Sequence, residues 1–185
     1  MLNNIITEDK LILRLQEISK NGILDAEDAD RSENMHRLFM YPAMMVPAAQ
    51  SAIIQAFSDI LPPNTYAIDP FMGSGTSLLS CIEFGFNVFG QDINPFAVLL
   101  SKAKTTTYDI LKLRITLDNI KDHIAQDNST TIDISFSSID KWFSTEAQIS
   151  FSKIRRAINA EEDINYRYFF WVLMSEAIRV GSNDR

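Results

Sequence analysis

The sequence predicts an α/β fold organised around a doubly wound parallel sheet, and three observations predict it. A short apolar run, Tyr66, Ala67 and Ile68, leads into a glycine-bearing turn, Asp69-Pro70-Phe71-Met72-Gly73-Ser74-Gly75-Thr76. Leu78, Leu79 and Ile82 then recur at helical intervals until Gly85, a helix-ending residue. Val88, Phe89 and Gly90 lead to Gln91-Asp92, and a second helix starts near Pro95, which places Asp92 23 residues after Asp69. The unit reads strand, helix, strand, helix. Such a crossover makes the strands parallel, and the ligand crevice of a doubly wound sheet lies at their carboxyl ends.

The elements around this unit follow in order. Residues 11–18 put Leu11, Leu15 and Ile18 on one helical face, although Leu11, Leu13 and Leu15 also alternate as a strand would; a helix is expected. Residues 25–34 carry five acidic side chains and few large apolar ones, and read as a solvated linker, so that residues 1–34 form an N-terminal helix and acidic linker. Pro47 suits a first helical position, with Ala49, Ile53 and Phe57 following at helical spacing until Pro62 and Pro63 stop the element. Beyond the sheet unit, Ile110, Leu113, Leu117, Ile120 and Ile124 form an amphipathic stripe behind a capping Asp109. Thr145 with Gln148 forms a capping-box pattern, after which Ala147, Phe151, Ile154 and Ile158 share a face. Lys153, Arg155 and Arg156 have the charge to meet phosphates, but the acidic Glu161, Glu162 and Asp163 beside them favour a solvated helix face. Residues 169–174 are apolar all round, as in a helix that is buried or that meets a further portion of protein.

Composition bounds the function. The 185 residues are the size of one domain, and 46% are hydrophobic, enough for a sizeable core. The net charge of −7 argues against a basic surface that grips nucleic acid by itself. One cysteine, Cys81, excludes an internal disulfide and a cysteine zinc site, and its apolar neighbours Leu79 and Ile82 make it core filler. The two histidines, His36 and His123, lack metal-site spacing, and His36 reads as a ligand-orienting or a packed residue. The longest apolar run, residues 168–174, is too short to span a bilayer, and the N-terminus has no export signal, so a cytoplasmic protein without a membrane is expected.

The turn carries the chemistry. Gly73 and Gly75 remove Cβ atoms, so a ligand can approach the backbone and the chain can take positive φ. Asp92, ending the second strand, has the acceptors to hold both ribose hydroxyls of an adenosine group, and Ile93 can pack on the adenine face. A phosphate-binding loop needs a lysine after its last glycine, whereas Thr76 and Ser77 follow Gly75. A dinucleotide site asks for a third glycine near Leu78 and would set a pyrophosphate close to the Asp69 carboxylate. S-adenosylmethionine carries a sulfonium and an ammonium and no phosphate, which a carboxylate at Asp69 favours. The competing reading of Asp69 is a turn-capping acid.

The run from Asp69 to Thr76, with Gly85, Gly90 and Asp92-Ile93-Asn94-Pro95, resembles the cofactor motifs of DNA methyltransferases that modify exocyclic amino groups. Upstream, residues 36–47, with Tyr41-Pro42 at their centre, resemble the segment that in this family closes over the methionine end of the cofactor; the competing reading of Tyr41 is a core aromatic. Trp142-Phe143-Ser144, residues 153–156, residues 166–172 and residues 182–185 resemble the continuation seen in some such enzymes. The resemblance covers residues 35–185. It implies an incomplete Rossmann-like methyltransferase fold with additional helices, and methyl transfer to adenine or cytosine in DNA. The cofactor-site residues it implies, together with the residue chemistry above, are Tyr41, Pro42, Asp69, Phe71, Gly73, Ser74, Gly75, Thr76, Asp92, Ile93 and Asn94, with S-adenosylmethionine as cofactor and no metal.

One family motif has no counterpart. These enzymes hold the target amino group with a tetrapeptide of Asp, Asn or Ser, two prolines and an aromatic residue; Leu61-Pro62-Pro63-Asn64 lacks both ends of it. Asn94-Pro95-Phe96 and Asp69-Pro70-Phe71 have one proline each and already belong to the cofactor motifs. Without acceptors for the amino group and a stacking aromatic for an extruded base, the chain is expected to bind cofactor and to be inactive alone. A truncated, split or degenerate enzyme is implied, with DNA and a second chain carrying the missing motif as its partners. The alternatives are a non-catalytic remnant or assembly subunit that binds cofactor or a partner chain, and part of an RNA guanine amino-methyltransferase.

Overall fold

A computed structural model describes residues 2–22, 24, 35, 38, 39, 41, 45–62 and 64–182. The acidic residues 25–34, His36, Pro42, Pro63 and residues 183–185 lie outside the described residues. The fold is mixed α/β, mostly helical with one small parallel sheet among the described residues, and it divides into two units, Met1–Thr105 and Thr106–Arg185.

The first unit runs α1 (Leu2–Lys20), α2 (Pro47–Ser58), β1 (Tyr66–Asp69), α3 (Thr76–Glu83), β2 (Asn87–Gly90) and α4 (Pro95–Thr105). The expected strand, helix, strand, helix order is thus present, and Pro47 begins α2 as its missing N–H allows. β1 and β2 pair in parallel, from Tyr66 beside Asn87 to Asp69 beside Gly90. Pairing continues beyond the strand ends, where the Gln91 N–H donates to the Asp69 carbonyl at 3.0 Å and the Met72 N–H donates to the Gln91 carbonyl at 3.1 Å. The glycine turn therefore hangs from the carboxyl edge of the sheet.

Burial alternates along both strands. Ala67 and Val88 are half-buried on the side where α3 packs, and the core there is Ala56, Leu78, Cys81, Ala97 and Leu100. The Ser51 and Ser80 hydroxyls meet at 3.2 Å between α2 and α3. On the opposite face Tyr66, Ile68 and Phe89 are 73%, 70% and 59% exposed, so this apolar face is uncovered. α2 ends at Ser58, before the prolines, with Asp59 in αR conformation as its C-cap.

The second unit contains α5 (Ile110–Gln126), α6 (Ile139–Trp142), α7 (Thr145–Ala160) and α8 (Ile164–Val180). Ile120, Ala157, Ile158, Phe170 and Met174 form its core, with Leu113, Ile124, Phe151, Ile154 and Trp171 packed around it. Asp109 caps α5 as expected, accepting from the Leu111 and Lys112 N–H groups. The Asp163 carboxylate caps α8 and also pairs with Lys112 at 2.6 Å, which joins the starts of α5 and α8.

Three sequence expectations are corrected here. Ile110 and Leu117 are exposed, and Thr116 takes the buried place in the α5 face that continues through Ile120. Ser144, not Thr145, caps α7 by accepting from the Ala147 N–H; Gln148 is buried and donates instead to Asp140 and to the Phe143 carbonyl. Arg156 is not part of a solvated face. Its guanidinium binds Asp127 at 2.7 Å and Asp133 at 2.8 Å, pinning residues 127–133 to α7. Within residues 169–174, Phe170, Val172 and Met174 are buried and Leu173 is exposed. No helix among the described residues is long and apolar enough to cross a membrane.

Candidate functional site

The site forms where β1 and β2 end. The Gly75 N–H closes a tight turn onto the Met72 carbonyl at 2.8 Å, and the Gly73 and Gly75 φ angles are +49° and +76°. The two glycines serve different ends. A Cβ on Gly75 would lie 2.7 Å from Ser101 Oγ, so this glycine lets the turn press against α4. Among the described residues, a Cβ on Gly73 would meet only Tyr41 Cε1, at 3.9 Å, an ordinary van der Waals contact with the edge of the aromatic ring.

The two expected carboxylates hold the turn from either strand. Asp69 Oδ1 accepts the Phe71 N–H at 2.9 Å, and its Oδ2 accepts the Ser77 hydroxyl. Asp92 Oδ2 accepts the Gly73 N–H at 2.9 Å and its Oδ1 accepts the Asn94 N–H at 2.8 Å. Asp92 thus ties the end of β2 to the glycine of the turn. Each carboxylate oxygen retains a second lone pair for a ligand donor. Both carboxylates are half-buried, so the turn is flanked by negative charge.

The remaining predicted residues fall into distinct sets. Tyr41 and Asn94 come together, the Asn94 amide donating to the Tyr41 hydroxyl at 3.0 Å, and both lie beside Gly73 and Asp92. Phe71 and Ile93 are 86% and 100% exposed, an arrangement without a packing explanation within the turn. Ser74 and Thr76 are buried, their hydroxyls 3.2 Å apart, so they support the turn from below instead of facing outward. Pro42 lies outside the described residues. Cys81 is on the buried side of α3, where desolvation first and the Asp69 carboxylate second push its thiol pKa up, making it an inert core group.

Three residues not named above as cofactor-site residues join the site. Ser101 Oγ donates to the Gly73 carbonyl at 3.0 Å, Ser77 buttresses Asp69, and Phe96 stacks with Tyr41. Ser77 carries a legible signal, since it sits in the first turn of α3 directly behind the motif. Phe96 stands in the Asn94-Pro95-Phe96 stretch already assigned to the cofactor motifs, whereas Ser101 becomes visible only when α4 folds back on the turn. No group of three or more His, Cys, Asp or Glu side chains among the described residues is arranged to hold a metal.

Comparison with known proteins adds a second line of support. Type II methyltransferase M.MvaI of Kocuria varians is 34% identical over 185 residues, covering 96% of this chain and 40% of that protein. Type II methyltransferase M.MjaII of Methanocaldococcus jannaschii is 36% identical over 87 residues, covering 47% of this chain and 16% of that protein. The chain therefore spans less than half the length of the curated relatives it matches. No family model matches the chain. No solved structure matches it.

Proposed function

We propose, on the premise of its 34% identity over 96% of its length to a Type II methyltransferase, that the chain is the S-adenosylmethionine-binding portion of a site-specific DNA methyltransferase. The reaction is methyl transfer to an exocyclic amino group of adenine or cytosine in DNA. The observation that carries the reading is the cradle in which the Gly73 backbone is held by Asp92 and met on its Cβ side, among the described residues, by the Tyr41 ring alone.

The residues present fit the cofactor. A glycine surface admits a ligand against the backbone, and two flanking carboxylates match a ligand that is cationic at sulfur and nitrogen. Asp92 accepts the ribose hydroxyls with its spare lone pairs, as an acid at the end of a second parallel strand does in nucleoside-binding sheets. Ile93 and Phe71, the exposed apolar pair, offer surfaces to adenine, and Tyr41 closes the other side. S-adenosylmethionine, when bound, supplies a methyl group made electrophilic by the sulfonium. The chain's own residues orient it and exclude water.

The βαβα order and parallel pairing support a Rossmann-like sheet in the complete enzyme. Parallel sheets are normally covered by helices on both faces, so the exposed Tyr66, Ile68 and Phe89 face suits a sheet whose second helical layer is supplied by further polypeptide. The Pro-Pro-aromatic tetrapeptide has no counterpart in the 185 residues, and we place it, with target recognition, on polypeptide outside them.

A filter assay with tritiated S-adenosylmethionine and duplex DNA tests both halves. The folded chain alone should retain label that S-adenosylhomocysteine displaces and that ATP and NAD do not, and should transfer none to DNA above background. Displacement by NAD would overturn the cofactor assignment; transfer by the chain alone would overturn the placement of the catalytic motif.

A further inference from the structure

Tyr41 reaches the cradle from the segment before α2, yet what holds it belongs to the start of α4. The Asn94 amide donates to its hydroxyl at 3.0 Å, a contact that spans 53 residues of sequence. The Phe96 ring stacks with it at 6.4 Å between centroids and 26° between planes, and Phe39 packs edge-on against Phe96 at 4.9 Å. The held ring edge lies over Gly73.

Asn94 performs two separable tasks. Its Oδ1 accepts the Phe96 N–H at 3.0 Å and so caps the start of α4. Serine and aspartate cap as well as asparagine does, so capping does not explain why an amide stands here. The amide nitrogen is what reaches the Tyr41 hydroxyl. Asn94 is also chained to the cradle floor, because its N–H donates to the carboxylate of Asp92, which in turn accepts from Gly73. Floor and roof are thereby set by two consecutive bonds from one residue.

We propose that Asn94 is a positioning residue that, with Phe96, latches Tyr41 over the Gly73 turn and so slows escape of the bound cofactor. The proposal rests on the S-adenosylmethionine reading above. A ring already held in its closing position loses less freedom when ligand binds, and such preorganisation is read mainly in the dissociation rate.

The test measures association and dissociation rates of S-adenosylmethionine for the unmutated chain, Tyr41→Phe, Asn94→Ser and the double variant. Serine at 94 keeps a capping oxygen but is too short to reach Tyr41, and melting curves verify that α4 still folds. Loss of one hydrogen bond predicts a rise in dissociation rate of about three- to tenfold for each single variant, with the association rate nearly unchanged. The double variant should be no faster than the singles. Asn94→Ala, which also removes the cap, should lower the melting temperature further while releasing cofactor no faster than Asn94→Ser. Singles that multiply in the double variant, or unaltered dissociation rates, would overturn the latch while leaving the cofactor reading intact. Absence of binding by the folded unmutated chain would remove both.

Discussion

Lys104 is 1% exposed in the last turn of α4, a costly place for an ammonium. Burial pushes its pKa down from an ordinary 10.5 to about 8. A base whose folded pKa lies below its unfolded value destabilises the fold wherever it is protonated in both states, which here is below about pH 8. Between that point and about 10.5 the folded chain sheds a proton that the unfolded chain keeps, so stability rises with pH. The unmutated chain should therefore gain stability as pH rises from about 8 to about 10.5, and Lys104→Met should lack that rise. Urea titrations of both proteins at pH 7 and pH 10 check the rise and its sign. At the same scale, the two aspartates of the site show how residue chemistry can be read only partly from sequence. Their positions at the strand ends were legible, because a carboxylate after a short apolar run and before glycines has few other places to go. That Asp69 accepts from Phe71 and Ser77 matches the turn-capping reading, which the sequence left open beside ligand binding because both ask for the same side chain.

At the scale of elements, the pattern of strand, glycine turn, helix and strand was legible because periodicity changes sharply at each boundary. The start of α2 at Pro47 and the Asp109 cap were legible for a similar reason, each residue having a narrow conformational role. What failed did so where local signals tie. Ser144 and Thr145 are both good caps, and only the helix geometry decides between them. Ile110 and Leu117 fit the apolar stripe, but the packing of α7 on α5 selects the face of Leu113, Thr116, Ile120 and Ile124. Arg156 is a strap for an extended segment, a role that depends on Asp127 and Asp133 folding back to it. Its hydrogen bond holds the Asp127 carboxyl below the usual carboxylate range, and the backbone N–H of Ser129 adds to this. A carboxyl with a depressed folded pKa stabilises above its ordinary range and loses that contribution as pH falls through the folded value. Arg156→Ala should thus raise hydrogen exchange at the Asp133 amide, which donates to Ser152, and acidification below the carboxylate range should do the same in the unmutated chain. Exchange rates corrected for their intrinsic pH dependence provide the check; protection that survives both changes would remove the strap.

For the whole molecule, the contacts that make the candidate site join residues far apart in sequence: Tyr41 with Asn94, Gly73 with Asp92, and Ser101 with Gly73. No periodicity reports such pairs, although the first two pairs were gathered into one site by the family resemblance. The second unit offers no comparable arrangement of glycine backbone and carboxylates, and its buried residues form a helical core. Tyr41, Gly73, Asp92 and Asn94 all lie in the first unit, so the proposal places the whole cofactor cradle there. That claim is met most directly by titration calorimetry of the folded chain with S-adenosylmethionine, alongside Asp92→Ala. The account predicts saturable binding at one site per chain and its loss in the variant, with folding of the variant verified by circular dichroism. A folded unmutated chain that gives no binding heat at any temperature tried, or a variant that binds as tightly as its parent, would contradict it.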